Sequence, residues 1–591
     1  MAHPLMNPVH KFYIPVMGTG FTIDTPLKVA RYGISSVVSL VDDVLIEQMR
    51  KCLTRDNGQD YEEIRSDEED SRAKRITSYL NMMDEMVENQ IEKLRTSIFE
   101  KGSEITKYFE MLPESPLRSL YTTMQNTLDP EERARLQETL RRKISPGGID
   151  VNIMTKLDRA RLSKGQDLGP KFSDAMSALR GYASSHLRSS LVLSAGMNRK
   201  LFSYLAEFGD FFPDDVGDVR KCIVLKVSDF RSALIQGKLL AKQGLWVSEY
   251  RIESGLNCGG HAFGGKGTLL GPVLEEFRDK KEALRDQVYD TWVTGLENLG
   301  RSAPGTPLEF RVTVQGGIGT AEENELLEKT YQVDGTGWAS PFLLVPEVVN
   351  IDPAHVEKII KARENDVHLS ESSPLGVPFW SLKTSASEEH RLELIHNGKP
   401  GSACPKGFLV SNTEFTKAPI CAASRAYQRR KLDELDHSEL SREERDEIES
   451  HVMAKACICH DLAGSATVPR GIDPDANTAV CCGPNTVYFS QVAKLREMVD
   501  HIYGRINLPL NSSRPHMFLK ELSLHLDGLR AEAERRRKEL GACNCSADKV
   551  RDNLLSGIRH YRDLATRLVS GQKDEFSTKL ETLRGELDRI R

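Results

Sequence analysis

The chain has 591 residues, with 80 Lys and Arg against 86 Asp and Glu for a formal net charge of −6. That length exceeds one ordinary core and implies either about three or four units of ~150 residues or a single large barrel with insertions. With 39% apolar and 28% charged residues, no apolar run near the ~20 residues of a membrane span, no secretory signal and no basic block, the composition excludes membrane, secreted and nucleic-acid-binding classes and points to the cytoplasm.

Residues 12–45 alternate short apolar runs with glycine turns: Phe12 to Val16, Gly18-Thr19-Gly20, a helical stretch from Pro26 to Arg31, then Gly33 to Leu40. Strand, loop, helix and strand in that order are the grammar of a parallel α/β fold. From Asp42 to Arg142 apolar residues recur at helical spacing in charged sequence, as at Ile76, Tyr79, Leu80, Met83, Met86, Val87 and Ile91. This predicts an all-α insertion, assigned to residues 46–146. Strand-like runs return at Ile149 to Met154, Leu191 to Ser194, Cys222 to Val227, Leu245 to Ile252, Phe310 to Gln315 and Gly335 to Ala339, with helices predicted over Phe230 to Gln243 and Ala321 to Tyr331. Eight strand units predict a (β/α)8 TIM barrel over residues 1–45 and 147–350, split by the insertion after its second strand. A Cys-rich region with few periodicities is expected over 351–512, interrupted by a charged helix from Ala426 to Lys455. A helical tail over 513–591 includes Phe518 to Leu540 and Asp548 to Val569.

Two loops carry chemistry. At the end of the seventh strand, Gln315-Gly316-Gly317-Ile318-Gly319 precedes a helix, where backbone N–H groups and the helix dipole favour a phosphate. In eight-stranded barrels that site lies in the loops after strands 7 and 8, and strand 8 ends near Ala339 and Ser340. At the end of the sixth strand, residues 254–267 hold six glycines around Cys258-Gly259-Gly260-His261. A histidine there suits a general base for an acidic C–H proton.

These blocks resemble the nitronate monooxygenase (2-nitropropane dioxygenase-like) family of FMN-dependent barrels, which includes the enoyl reductases of polyunsaturated-fatty-acid synthases. Pro15-Val16-Met17-Gly18-Thr19-Gly20 resembles the family's opening strand, and Ile149 to Met154 its G-V-N strand. Leu193-Ser194-Ala195-Gly196 and Leu225-Lys226-Val227-Ser228 fit the next two strands. Gly259-Gly260-His261 resembles the G-G-H signature, Gly316-Gly317-Ile318 the phosphate loop, and Asp334 to Phe342 the closing block. The resemblance implies FMN as cofactor, with Met17 and Gly18 along the flavin ring, Asn152 hydrogen-bonded to it and Lys226 at its polar edge. It further implies a phosphate held by Gly316, Gly317, Ala339 and Ser340, and His261 as base beside Gly259 and Gly260. The chain departs from the family in having Asn257-Cys258 before Gly259-Gly260-His261, and Pro341, which donates no N–H, in its closing block.

Six of the 11 cysteines fall in a region without counterpart in that family: Cys404, Cys421, Cys457, Cys459, Cys481 and Cys482. In a reducing compartment such crowding suits an iron–sulfur cluster, a structural zinc site or buried free thiols. Cys543 and Cys545 read as unligated. The serines, acid and aromatics between prolines from Val367 to Trp380 read as a crossover packing the Cys-rich region onto the barrel, with the lining of a substrate cleft as the alternative. The helical insertion and tail read as scaffold or as contacts between copies of the chain. The expected function is that of an FMN-dependent oxidoreductase with an iron–sulfur cluster, acting on a small organic substrate with an electron-transfer partner. The alternatives are an enoyl-type reductase of an acyl or isoprenoid substrate, and a non-catalytic, zinc-stapled scaffold.

Overall fold

The computed structural model describes residues 5–155, 157–163, 166–194, 196–265, 267–537, 547–568 and 570–590. Ala195, Lys266, Cys543 and Cys545 lie outside the described residues. Eight parallel strands close a barrel: β1 (Phe12–Ile14), β2 (Ser35–Ser39), β3 (Ile149–Ile153), β4 (Ser190–Leu193), β5 (Cys222–Val227), β6 (Val247–Glu253), β7 (Arg311–Gln315) and β8 (Gly335–Gly337). The last strand pairs back with the first, Phe12 opposite Thr336. The predicted (β/α)8 architecture is therefore the observed one.

Alternation along β6 shows how the barrel is filled. Tyr250 faces outward onto Phe277 and Phe310, while Glu249 and Arg251 face the interior. There the Arg251 guanidinium lies 3.9 Å from the centre of the Tyr13 ring and donates to Glu249 at 2.7 Å, and Thr313 donates to the same carboxylate at 2.6 Å. Asp150 shares this interior, where burial pushes its carboxyl up to about 6 against the pull of Arg251. Helices cover the outside, so every residue of β3 is buried although only some face the core.

Between β2 and β3 run five helices, Asp43–Asp56, Ser71–Thr96, Glu104–Met111, Pro116–Asn126 and Pro130–Arg142. Ser115 and Asp129 cap the last two, each with proline in the first turn. The insertion is tied to the barrel by Arg72, which donates to Asp43 at 2.5 Å and to the Leu40 carbonyl at 2.8 Å. It returns through Gly147, whose N–H donates to Ala30 O at 2.8 Å. A Cβ there would lie 2.1 Å from Ile34 O, so no larger residue fits.

After the barrel, the segment expected as a crossover is a hairpin, β9 (Val367–Ser370) against β10 (Phe379–Leu382). The single charged helix expected from Ala426 to Lys455 is two, Arg425–Asp436 and Arg442–Met453. Ser441 and Glu444 form a reciprocal capping box that starts the second. Helices Met517–Arg537, Ala547–Ala565 and Ser570–Arg589 close the chain. They dock on the barrel, with Phe518 stacked on Tyr561 and Asn257 donating to Met517 O at 3.0 Å. Among the described residues no helix is long and apolar enough to cross a membrane.

Glu521 anchors this docking, accepting hydrogen bonds from Ser254 Oγ at 2.5 Å and Leu270 N at 2.7 Å. Burial pushes its carboxyl up to about 7, against the pull of those donors. A folded-state pKa above the unfolded one means that the neutral form stabilises and that the contribution is lost as pH rises through about 7, at a cost approaching roughly 3 kcal/mol. Glu521→Gln is expected to keep the contacts and flatten the fall in thermal stability between about pH 4.5 and about pH 7, measured by thermal denaturation.

Candidate functional site

The carboxyl ends of the barrel strands form the mouth where (β/α)8 chemistry is built. The loop after β6 carries His261 and is gripped by the hairpin. Ala262 N donates to Pro378 O at 2.9 Å, Trp380 N to Gly260 O at 2.9 Å, and Trp380 Nε1 to Leu256 O at 2.9 Å. Held this way, His261 sits opposite Phe379, with ring centres 5.1 Å apart and edge to face. Its Nε2 and the hydroxyl of fully buried Ser373 hydrogen-bond at 2.7 Å. Sequence gave Ser373 no role of its own beyond its place in the run from Val367 to Trp380. The proline-bounded serine run was its signal, and pairing of that run across a hairpin turns it toward the histidine.

Deeper in the mouth a polar chain crosses the barrel. Lys226 Nζ donates to Glu253 at 2.9 Å, Gln315 donates to the same carboxylate at 2.6 Å, and the Tyr13 hydroxyl donates to Gln315 Oε1 at 3.1 Å. Asn152 is buried here on β3, and its Oδ1 has no hydrogen-bond partner among the described residues. An unpaired buried amide oxygen is costly and marks a place where a ligand donor fits. Met17 is buried at the end of β1, and Gly18 follows in the left-handed region at φ 54°.

The loop after β7 has Gly316 at φ 121° and Gly317 at φ 80°, conformations that side chains resist. Among the described residues, the backbone N–H groups of Gly317, Ile318, Ala339 and Ser340 have no acceptor. Next to them the Gly319 N–H donates to Glu323 at 2.9 Å. Arg514, which sequence reasoning missed, donates to that carboxylate at 2.6 Å and to Gly317 O at 2.9 Å. Burial disfavours the charge on Glu323, but Arg514 and His516 outweigh it and hold the carboxyl below its ordinary range.

The Cys-rich region forms the roof. Gly20 N donates to Leu462 O and Gly260 N to Cys482 O, both at 3.2 Å. A Cβ on Gly18 would lie 3.4 Å from Cys481, one on Gly259 would lie 2.7 Å from Cys482 O, and one on Gly483 would lie 2.9 Å from Ser340 Oγ. Cys481 and Cys482 thus cover the glycines Gly18, Gly259 and Gly260, and burial pushes the Cys481 thiol up to about 11. The other four candidate thiols lie together elsewhere in this region. Cys404 hydrogen-bonds Cys421, and Cys457 hydrogen-bonds Cys459, which draws the first of each pair down and pushes the second up. Among the described residues no group of three or more His, Cys, Asp and Glu side chains is arranged to hold a single metal ion.

No family model and no curated protein matches this chain. Solved structures similar to it include FabK from Thermotoga maritima, at 14% identity over 70% of this chain and 90% of that one, with a TM-score of 0.30. The enoyl reductase domain of MlnA from the macrolactin biosynthesis cluster of Bacillus amyloliquefaciens is 14% identical over 66% and 86%, with a TM-score of 0.32. Nitroalkane oxidase from Streptomyces ansochromogenes is 9% identical over 84% and 94%, with a TM-score of 0.34. Likenesses this remote add nothing to the barrel read directly from its strands, and a functional reading rests on the site.

A Cβ on Gly317 would come within 2.0 Å of Asn257 Nδ2, the group that holds Met517 O. Gly317→Ala therefore meets both a strained φ and a collision, and is expected to destabilise the protein by about 2 kcal/mol or more, read as a lowered denaturant midpoint at unchanged slope.

Proposed function

We propose that this chain is an FMN-dependent oxidoreductase that moves a hydride and a proton to or from a small organic substrate at the barrel mouth, with an iron–sulfur cluster in its Cys-rich region. The observation that carries the flavin reading is the unpaired amide oxygen of buried Asn152, set below loops whose Gly317, Ile318, Ala339 and Ser340 amides are also without acceptors. Those amides suit a phosphate, and Asn152 with Lys226 suits the polar edge of a flavin ring. When bound, FMN supplies hydride acceptance or donation, and an iron–sulfur cluster supplies single-electron transfer.

The protein's own part is proton transfer and enclosure. His261 exchanges a proton with the substrate carbon next to an activating group, and the Ser373 hydroxyl at its Nε2 fixes the ring. The hydrogen bonds Lys226 to Glu253, Gln315 to Glu253 and Tyr13 to Gln315 keep the floor of the mouth rigid and polar. Cys481 and Cys482 in the roof exclude water from above Gly18 and Gly260.

Protein purified without added flavin is expected to release FMN on denaturation, identified by its mass, and Asn152→Ala to lower the bound fraction severalfold. Flavin-free wild-type protein that also fails to bind added FMN would sink the reading. His261→Ala is expected to retain flavin while losing at least about a hundredfold in turnover with nitronates or 2-enoyl thioesters. Ser373→Ala should lose about tenfold and shift the acidic limb of the pH profile, whereas unchanged activity in His261→Ala would remove the base from the mechanism.

A further inference from the structure

We propose that Asn485, His501 and Arg514, which lie outside the barrel, are positioning residues that hold the loop after β7 in the shape that receives a phosphate, and so give the mouth its preference for FMN over riboflavin. The identity of the ligand rests on the flavin reading; the role of the three side chains comes from their contacts. Three consecutive carbonyls of the loop each receive a different side chain from the region after the barrel. Arg514 Nη2 donates to Gly317 O at 2.9 Å, Asn485 Nδ2 to Ile318 O at 3.0 Å and His501 Nε2 to Gly319 O at 2.9 Å. A carbonyl only accepts, so the His501 proton is on Nε2, and its Nδ1 accepts from Leu508 N at 3.2 Å. Arg514 Nε donates to Asn485 Oδ1 at 2.9 Å and joins two of the three. Asn485 and His501 are buried and the Arg514 side chain is 7% exposed, so water competes little for these contacts.

What the pinning does follows from the planarity of the peptide. In a trans peptide the C=O of one residue and the N–H of the next point in opposite directions. With Gly317 O turned onto Arg514, the Ile318 N–H is directed away from the guanidinium, and it is one of the amides without an acceptor among the described residues. The loop needs such restraint, because Gly316, Gly317 and Gly319 make up most of it and glycine loses the most conformational freedom on ordering. When the loop is ordered beforehand, ligand binding does not carry that entropy.

Arg514 also removes a conflict of charge. Glu323 lies in the first turn of the helix Ala321–Thr330, where its carboxylate accepts from Gly319 N at 2.9 Å and Met517 N at 2.7 Å. Left bare, that anion would repel a phosphate on the neighbouring amides. Arg514 takes both carboxylate oxygens, at 3.0 and 2.6 Å, so the buried pair presents no net charge to the loop. Glu323, Gly317 and Asn485 together engage four of the five guanidinium N–H groups, which makes Arg514 a support for the loop and not a phosphate ligand. The guanidinium rests against Gly319, where a Cβ would lie 2.7 Å from Nη2 and 2.8 Å from Nε, so a methyl group there displaces it.

Full-length protein stripped of flavin is titrated with FMN and with riboflavin by quenching of flavin fluorescence, and each variant is first shown to melt cooperatively. Riboflavin shares the ring and lacks the phosphate, so the ratio of the two Kd values reads the phosphate contacts. Wild-type protein is expected to bind FMN at least about thirtyfold more tightly than riboflavin. Asn485→Ala, Arg514→Lys and Gly319→Ala are each expected to lower that ratio about tenfold while leaving riboflavin binding within about twofold, whereas Asn152→Ala weakens both flavins alike. An unchanged ratio in a variant that melts cooperatively, or an equal loss for both flavins, overturns the proposal. A wild-type ratio near one overturns it whether or not the variants fold. Wild-type protein that binds neither flavin defeats the flavin reading, and inorganic phosphate then decides the role of the loop. Phosphate is expected to raise the melting temperature of the wild type by about 2 °C or more and to leave that of Asn485→Ala unmoved. No shift in the wild type, or the same shift in both, overturns the proposal.

Discussion

Main chain lies directly on main chain where the Cys-rich region meets the barrel mouth. Gly20 and Gly260 donate to Leu462 O and Cys482 O, and Gly259 and Gly483 come so close to the opposing segment that a Cβ on either would collide. Bare backbone on both sides gives hydrogen bonds without side-chain entropy and leaves no space for water. The same contact sets the depth of the mouth and places Cys481 over Gly18. A larger residue at Gly259 or Gly20 would lift the roof and disturb the mouth.

Below the roof, the barrel interior is charged where many barrels are aliphatic. Arg251, Glu249, Thr313, Tyr13 and Asp150 satisfy one another in layers, and the next layer up is the chain from Lys226 through Glu253 and Gln315. Each strand thus serves packing on its outer face and electrostatics on its inner one. The cost of burying Arg251 is offset by Glu249 and by the face of the Tyr13 ring, a geometry that also fixes where Tyr13 presents its hydroxyl to Gln315.

The strands and glycine loops were readable from sequence because parallel strands are continuous apolar runs and glycine has few reasons to cluster. The helical insertion was readable from its spacing. Three things were not. The break between the helices Arg425–Asp436 and Arg442–Met453 depends on a short capping signal inside a long charged stretch. Ser373 acquires its place only when β9 and β10 pair and swing it against His261. The grouping of six cysteines into four and two follows from which loops the Ser402 and Ser424 backbone bring together, contacts between segments that no local spacing encodes. Arg514 belongs to the same class, reaching Gly317 and Glu323 from the far end of the chain.

Gly147 passing against Ile34 has a kinetic side. Ser36 pairs with Ile149 across the whole helical insertion, so the β2–β3 ladder joins residues far apart in the chain. Closing a flexible loop of that size is entropically unfavourable, and contacts of such long range slow folding. The five helices shorten the effective loop if they form first, delivering Gly147 to Ile34 as a prearranged pair of ends. The insertion would then act as a clasp on the β2–β3 pairing, closed at Gly147, where only a bare backbone passes Ile34.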